Sequence, residues 1–532
     1  MNLFTFLMIL SEILNSYCKL SGSLLTQTRR SLKCDTRPEQ QDYRIYKVDN
    51  DGTRLGDVMP YYDLESDIFY IYYLKDIWID STNQRHPWHG FKTNNFLTYQ
   101  QLDEIISCSA YACDQDFAVG SGSILKRGQV YYAFYTGHNP NYPSSCVKTK
   151  EGIMLATSNV PNQKFIKQFN FTTIFAPIHQ DFDGQDNFRD PFVFDDNGKY
   201  YMLVAARKNV NGIWRGVIIK YISTNLLNWS YDGILFDGGE MIHFMMETPE
   251  IFKIGQYYYL IYSDIDSKYL YYRKSTSIDN IWHSPTSNNR FEGIGLYAAK
   301  TTADSGGNRY IIGWTNALKG NNDDGKALWG GNMVVHALSQ NSNADLTVSL
   351  PNSIRSYMEQ KHFPLVKHSQ WGTVLCTTCD THSYNLVSTS VMDISNVIFE
   401  PVNLDRYKIS ATVSYSHSAK DFGFMVGACD GYNDFYSLRF IPSQNRLSFD
   451  KVKRANLEAF VDAINDVPIH LSPDTYYSID IVIEYSMVIV YINTVGVALS
   501  NRIYKMTNTN WGVFVDNSNA TFHNIVVHHP KD

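Results

Sequence analysis

The chain has 532 residues, enough for two or more domains with sizeable cores. Its formal net charge is −7, and it has no basic cluster with interleaved aromatic residues, which argues against nucleic acid as a partner. It contains 38 Tyr, 29 Phe and 9 Trp, residues that favour β-strands and whose amphipathic rings also suit carbohydrate surfaces.

The chain begins with an apolar run, residues 3–10, that is too short to span a membrane. The run fits the core of a signal peptide with cleavage after Cys18, and the alternative is an N-terminus that is disordered or packed in the core. No later segment approaches the roughly 18 apolar residues of a spanning helix. We therefore expect a secreted chain with a signal peptide at residues 1–18 and no membrane partner.

Three N-x-S/T triplets are compatible with N-glycosylation of a secreted chain, although such triplets also occur by chance where Asn is frequent. They begin at Asn170, Asn228 and Asn519.

Eight cysteines are present, and two of them, Cys108 and Cys113, are close enough in sequence to close a small loop in a secreted chain. Cys376 and Cys379 have a spacing found in zinc sites, but no second pair lies near them. We expect neither a metal nor a cofactor.

Five tyrosine-rich stretches follow one another, each opening on a turn-like pair and running into β-formers. Aligned on their aromatic landmarks, they are spaced 62, 69, 57 and 53 residues apart. The landmarks are Phe69, Tyr131, Tyr200, Tyr257 and Tyr310. Such a period, used five times, predicts a five-bladed β-propeller over residues 42–350.

A different pattern begins after a polar stretch at residues 351–367 that we interpret as a linker. Alternating apolar and polar runs recur from there to the C-terminus, as at residues 407–415 and 476–492. Alternation with hairpin spacing predicts a β-sandwich over residues 368–532. The whole chain is therefore predicted to be all-β.

Three acidic residues stand just upstream of landmarks: Asp57 lies 12 residues before its landmark, and Asp190 and Glu247 each lie 10 before theirs. Because propeller blades are pseudo-equivalent, we expect the three carboxylates at about one level around a central funnel. One protonated and one ionised carboxyl group can cleave a glycosidic bond, and crowding raises one pKa. Any one of these acids alone is more often an exposed turn residue.

Three other residues are candidate substrate contacts. Arg189 adds a cation beside Asp190 that would keep this Asp ionised and clamp a hydroxyl. Ser121 holds the matching position of the second repeat, where a small residue either leaves room for substrate or forms a tight bulge. Trp88 is either a sugar-stacking platform or a core residue.

These motifs resemble those of glycoside hydrolase family 32, the invertases, inulinases and levanases. Residues 189–191 match the family's R-D-P motif, and residues 247–250 (E-T-P-E) resemble its E-C-P-D motif. The other matches are S-G-S at 121–123, Y-T-G at 135–137, and a Y-A-A-K…G-W stretch at 297–300 and 313–314. The resemblance extends over about residues 45–530.

The N-terminal motif departs from the family pattern. The family has N-D-P-N-G, whereas residues 56–60 read G-D-V-M-P, keeping the Asp without its flanking Asn residues. Leu74 stands where the family has a Gln at the end of the next strand. The chain therefore resembles a divergent branch of the family.

The resemblance implies that Asp57 is the nucleophile, Glu247 the general acid/base and Asp190 a transition-state stabiliser. The implied activity is retaining cleavage of terminal β-D-fructofuranosyl residues from sucrose or fructans. Three alternatives stay open: an arabinan- or xylan-active propeller glycosidase, a fructosyltransferase, and a non-catalytic carbohydrate-binding protein.

Overall fold

The structure is a computed structural model that describes most of the chain after residue 40. The described residues are 41–78, 84–177, 181–286, 288–323, 325–378, 382–389, 394–429, 434–453, 465–504 and 509–531. The predicted signal peptide and Cys379 lie outside them.

The first part of the chain folds into short antiparallel strands, which form five groups in chain order. Group A contains β1 (Leu55–Asp63), β2 (Ile68–Lys75), β3 (Ile77–Trp78), β4 (Gln84–Arg85), β5 (Trp88–Thr93) and β6 (Gln100–Ile106). Group B contains β7 (Ala118–Arg127), β8 (Val130–His138), β9 (Glu151–Ser158) and β10 (Ile166–Lys167). Group C contains β11 (Phe188–Asp196), β12 (Lys199–Val210), β13 (Ile213–Ser223) and β14 (Ser230–Phe236). Group D contains β15 (Met246–Ile254), β16 (Tyr257–Asp264) and β17 (Leu270–Ser275). Group E contains β18 (Tyr297–Ala303), β19 (Arg309–Leu318), β20 (Ala327–Gln340) and β21 (Leu346–Ser349).

The second part contains thirteen more strands and little helix. The strands are β22 (Lys361–Phe363), β23 (Lys367–Trp371), β24 (Thr373–Thr378), β25 (Ser383–Val387), β26 (Ile394–Phe399), β27 (Arg406–Cys429), β28 (Asp434–Ile441), β29 (Arg446–Lys453), β30 (Asn465–Pro468), β31 (Tyr477–Glu484), β32 (Met487–Ile492), β33 (Val497–Arg502) and β34 (Asn510–His529). The helical elements in the described residues are α1 (Asn352–Met358) and the 3₁₀ turns Lys319–Asn321 and Pro442–Gln444. The prediction of an all-β chain is confirmed.

The five aromatic landmarks mark one recurring position in the fold. Each lies at or near the start of the second strand of its group, just after a hairpin turn. The turn before β12 contains Gly198 with φ of 83°, a conformation that glycine adopts without strain. The repeat in the sequence is therefore a repeat of hairpins, in which aromatic and β-branched residues form the second strand.

The strands of each group pair antiparallel in sequence order, apart from β3 and β4, which pair only with each other. Groups A and E join into one eight-stranded sheet through a pairing between Leu55 and Gly331. The first strands of the groups, which we call the inner strands, contact one another in a cycle: β1 with β7, β7 with β11, β11 with β15, β15 with β18, and β18 with β1.

The second part is built on two long strands that bend. The first half of β27 pairs with β31 and its second half with β28, while β34 pairs along much of its length with β27. Four register shifts between β27 and β34 allow these bends. A large buried apolar cluster, which includes Phe424, Phe522 and Trp511, lies between the strands, and a smaller one includes Met425 and Phe514.

One fully buried carboxylate ties the second part to the first. Glu484, at the end of β31, accepts hydrogen bonds from the backbone N–H groups of Arg44, Ile45 and Tyr46 at 2.7, 2.9 and 2.8 Å. Arg406 donates to the same carboxylate at 2.7 Å. The segment that precedes β1 is therefore held by a charged acceptor from the C-terminal part, beside an apolar core that both parts share.

The disulfide differs from the small loop considered above. Cys113 pairs with Cys146, at a Cα–Cα distance of 5.5 Å, and Cys108 is free. The bond joins the connection before β7 to the connection before β9, two loops that lie side by side at the ends of group B. Among the described residues, no helix combines the length and apolarity needed to cross a bilayer.

Replacing Glu484 by Ala should lower the free energy of unfolding by about 3–5 kcal/mol, because it leaves Arg406 and three backbone N–H groups without their buried acceptor. Chemical denaturation of wild type and variant measures the loss. Glu400→Ala is the matched control, since Glu400 makes an exposed contact with His368. If both substitutions had equally small effects, Glu484 would not be what holds the segment before β1.

Candidate active site

A β-bulge recurs at the same place in all five inner strands. The pairing of each inner strand with its second strand shifts register once, and two residues are left out of the ladder at each shift. The skipped residues are 56–57 in β1, 120–121 in β7, 190–191 in β11, 248–249 in β15 and 298–299 in β18. Bulges bend a strand and redirect side chains, and they are frequent next to active sites. Five of the six predicted site residues lie in or beside these bulges, and the sixth is Trp88.

Three bulge residues have a backbone conformation that non-glycine residues avoid. The φ angles of Asp190, Thr248 and Ala298 are 62°, 49° and 48°. Neighbouring inner groups hold these residues by hydrogen bonds: the N–H of Asp190 donates to Thr136 Oγ1 at 2.9 Å, and that of Ala298 donates to Ser263 Oγ at 3.0 Å. Such strain costs about 1–3 kcal/mol per residue and persists only where the surroundings enforce it.

The three predicted acids occupy successive positions relative to the bulge. Glu247 is the residue just before it, Asp190 is its first residue, and Asp57 is its second. They come from β15, β11 and β1, and the charges of Asp190 and Glu247 both act on Asp57. The structure thus brings the three carboxylates into one cluster.

Asp190 is buried and both of its carboxylate oxygens are held. Ser121 Oγ donates to Oδ1 at 2.5 Å, and the N–H of Thr248 donates to Oδ2 at 2.9 Å. Burial raises the pKa of Asp190, and the Arg189 guanidinium acts in the opposite direction. Ser121 is itself buried, so it positions Asp190. The interpretation that Ser121 leaves open space for substrate is therefore wrong.

Glu247 accepts hydrogen bonds on both oxygens. Arg189 donates to Oε1 from Nη2 at 2.6 Å and from Nε at 3.1 Å, and the Tyr297 hydroxyl donates to Oε2. Arg189 also donates to Glu151 at 3.3 Å. Burial acts to raise the pKa of Glu151, but the Arg189 charge, His138 and the Phe188 N–H together hold it well below its usual range. Arg189 is therefore bonded to Glu247 and Glu151, whereas the sequence placed it next to Asp190.

Asp57 is a carboxyl group with a strongly raised pKa. Removal from water, together with the negative charges of Asp190 and Glu247, raises the pKa of Asp57 to about 7. Trp314 Nε1 donates to its Oδ1 at 3.1 Å, which opposes the shift only in part. At neutral pH this carboxyl group is therefore balanced between its acid and its ionised form.

Aromatic rings surround Asp57. Tyr297 and Trp314 have ring centroids 5.4 Å apart, Trp314 and Trp329 are 5.9 Å apart, and His86 lies 3.9 Å from Trp329. The Trp329 indole packs on Gly56, where an added Cβ would lie 2.1 Å from the ring. Glycine is thus required beside Asp57, because the indole occupies the space of a side chain.

Lys300 is a buried cation close to the cluster. It lies on β18 just after the bulge, and its Nζ donates to the carbonyl of Gly122 on β7 at 2.6 Å. Burial lowers the pKa of Lys300, while the charges of Asp190, Glu250 and Asp57 act to raise it. Its ammonium group partly offsets the crowding of negative charge.

The interpretation of Trp88 as a sugar platform needs correction. The side chain is fully buried between the rings of Tyr72 and Tyr135, and its Nε1 donates to the carbonyl of Gly120 at 2.9 Å. No face of the indole is open to a ligand. Trp88 is therefore a core residue that stabilises the β7 bulge through its hydrogen bond to Gly120.

Sequence reasoning missed several residues that contact the acids. Tyr297, Trp314 and Lys300 lie in the Y-A-A-K…G-W stretch. The sequence matched this stretch to the family motif, but no function was predicted for its residues. Glu151 and Trp329 had no such signal, since only the folded chain brings them to Arg189 and Gly56. Among the described residues, no three His, Cys, Asp or Glu side chains form a group that could hold a metal ion.

This arrangement suits acid-base and nucleophilic work on a glycosidic bond. One carboxyl group has a pKa near neutrality, a second is directed by a guanidinium and a phenol, and a third is fixed by two donors. When neighbouring carboxyl groups have different environments, each can take a different role as acid, base or nucleophile.

Two family models match the chain. The model described as "Glycosyl hydrolases family 32 N-terminal domain" matches residues 59–346, and "Glycosyl hydrolases family 32 C terminal" matches residues 376–529.

Relatives and solved structures agree with this match. A sucrose-6-phosphate hydrolase of Escherichia coli is 25% identical over 442 residues, which are 79% of this chain and 81% of that protein. A sucrose-6-phosphate hydrolase of Staphylococcus xylosus is 23% identical over 239 residues, 43% of this chain but only 46% of that protein. The crystal structure of fructan 1-exohydrolase IIa from Cichorium intybus aligns with a TM-score of 0.68 and 14% identity, covering 93% of this chain and 98% of that one.

Two consecutive family models, which together extend over most of the chain and include Asp190 and Glu247, fix its relationship: the chain belongs to glycosyl hydrolase family 32.

Proposed function

We propose that this glycoside hydrolase releases terminal β-D-fructofuranosyl residues from sucrose or fructans with retention of configuration. The observation that carries the proposal is the clustering of Asp57 with Asp190 and Glu247, where Asp57 has a pKa of about 7. Relatives described as sucrose-6-phosphate hydrolases, and a neighbour described as a fructan exohydrolase in complex with 1-kestose, support the fructosyl substrate.

The proposed architecture is a five-bladed β-propeller, residues 42–350, followed by a β-sandwich, residues 368–532. Cyclic contacts among the five inner strands support the propeller, because a ring of inner strands is what encloses a propeller axis. The two bent strands β27 and β34 beside a large apolar core support the sandwich. The sandwich carries none of the three acids, and we assign it a supporting role without chemistry.

In the proposed reaction, Asp57 attacks the anomeric carbon of the fructosyl unit while Glu247 donates a proton to the glycosidic oxygen. The bond to the leaving group breaks and a covalent fructosyl–enzyme ester forms. Glu247 then removes a proton from water, which attacks the same carbon and releases Asp57. Asp190 retains free lone pairs beside its two donors, and these can accept hydrogen bonds from fructosyl hydroxyls.

We also propose that the chain is exported. The apolar residues 3–10 support this, as do Asn170 and Asn228, which are exposed on loops. Asn519 is less accessible, since it lies within β34 and pairs with residues of both β25 and β27. Expression in a eukaryotic secreting cell tests the proposal: we expect the chain in the medium, cleaved after Cys18, with glycans at Asn170 and Asn228 only. Retention in the cell with residues 1–18 attached would overturn it.

Product analysis on sucrose, inulin, levan and arabinan tests the activity. A site enclosed by five inner strands admits a chain end more readily than a chain middle, so free fructose should be released from inulin or levan at the earliest time point. Early oligosaccharides without fructose would exclude exo action. Arabinose with no fructose from any substrate would instead identify an arabinan-active enzyme, and fructosyl transfer products at low sugar concentration would identify a transferase.

Glu247→Gln should lower kcat by about 10²–10⁴-fold, the usual contribution of a general acid. Asp57→Asn should cost at least as much, because no covalent intermediate can form. Steady-state kinetics on the best fructoside measures both losses. Glu65→Gln is the control, an exposed glutamate at the turn after β1. Near-normal turnover by either active-site variant would refute the assigned roles.

Activity should fall as the pH drops below about 7, because Asp57 must be ionised to attack and its pKa is raised to about 7. A pH profile of kcat/KM locates this limb, and a limb near pH 4 would contradict the raised pKa. The folded chain binds this proton more tightly than the unfolded chain, so its contribution to stability is present below about pH 4 and lost as the pH rises through about 7. Asp57→Asn should therefore raise the Tm more at pH 8 than at pH 4.

A further inference from the structure

A cluster of large apolar side chains is exposed close to the active site. Trp214, at the tip of the β12–β13 hairpin, is 42% exposed. Ile242 and Phe244, in the connection from β14 to β15, are 61% and 39% exposed. Apolar side chains gathered on a surface in this way mark a binding site more often than scattered single ones do.

A guanidinium lies between the two aromatic rings of this cluster. The Arg207 guanidinium is 4.1 Å from the centre of the Phe244 ring and 5.7 Å from that of Trp214. Its buried Nε has no hydrogen-bond partner among the described residues. Arg207 thus stacks on the rings, and a stacked guanidinium can also donate from its terminal nitrogens to planar or hydroxyl-rich ligands.

The cluster is held in place by its buried neighbours. His243, between Ile242 and Phe244, is buried and contacts Asp264 at 3.0 Å. The N–H of Gly216 donates to the carbonyl of His243 at 2.7 Å, so the connection before β15 is bonded to the β12–β13 hairpin. The aromatic rings are therefore presented by a fixed backbone, which lowers the entropy lost on binding.

The cluster lies next to the Arg189–Glu247 pair. Arg189 is paired with Ala205 on β12, two residues before Arg207, and Phe244 is three residues before Glu247 on the chain. At about 3.3 Å per residue along an extended chain, both separations are about 10 Å or less. Because Glu247 is the proposed proton donor, the sugar that leaves must stand on its side of the site.

We propose that Arg207, Trp214 and Phe244 form a subsite for the sugar units beyond the bond that is cleaved. The exposed ring faces would stack on the C–H face of a sugar, and Arg207 would donate hydrogen bonds to its hydroxyls. This inference rests on the proposed function and deepens it, since such a subsite favours fructo-oligosaccharides of three or more units over sucrose.

Kinetics with leaving groups of increasing size tests the subsite. For Trp214→Ala and Phe244→Ala, we expect kcat/KM to fall about five- to tenfold on an inulin-type tri- or tetrasaccharide, the size of one ring-stacking interaction. On methyl β-D-fructofuranoside, whose leaving group is too small to reach the rings, we expect less than a twofold change. Trp214→Phe retains a stacking ring and should recover most of the loss.

Trp371→Ala is the matched control, because this tryptophan is 67% exposed on β23 in the C-terminal part. Equal losses on all substrates, or no loss on the oligosaccharides, would overturn the subsite. So would a selective loss on sucrose-6-phosphate for Arg207→Met without any loss on neutral oligosaccharides, since Arg207 would then serve a phosphate. If the wild-type chain releases no fructose from any substrate, the proposed function itself fails, and this result is distinct from the others.

Discussion

Repulsion among the three carboxylates at the bulges of the inner strands is the constraint on which the rest of the site depends. Like charges in a partly buried cluster cannot all stay ionised without compensation, so a proton is retained near neutral pH. The groups around each carboxyl group differ. Arg189 and Tyr297 donate hydrogen bonds to Glu247, whereas Asp57 accepts one from the Trp314 indole. Burial raises the pKa of both Asp57 and Asp190. The charge cluster and its uneven set of partners thus give the three carboxyl groups different environments.

The recurring bulge is the backbone feature that makes this cluster possible. A regular strand would alternate its side chains between two faces, and neighbouring functional residues would point apart. Two skipped residues in each inner strand break the alternation where the five strands meet. The strained residues Asp190, Thr248 and Ala298 are held by hydrogen bonds from adjacent groups. The site is therefore shared among the groups, and none of them would form it alone.

Buried carboxylates have a second role at the junction of the two parts. Glu484 accepts three backbone N–H groups from the segment before β1, and Glu292 accepts the N–H of Ser500 and contacts His336. A charged acceptor compensates several backbone donors where no strand ladder is present. The C-terminal part thus fixes the segment that precedes the strand with Asp57, although it contributes no acid of its own to the cluster.

The sequence by itself determined the all-β class, the spacing of the hairpins and the identity of the three clustered acids. Strand patterns and repeat offsets are local properties of a chain, and side chains at equivalent offsets reach equivalent places. Only the tertiary structure decided that Arg189 is bonded to Glu247, that Trp88 is buried, and that Cys113 pairs with Cys146. These outcomes depend on how bulges turn side chains and on which loops meet across the fold. Contacts of that kind join residues far apart in sequence, and no local pattern encodes them.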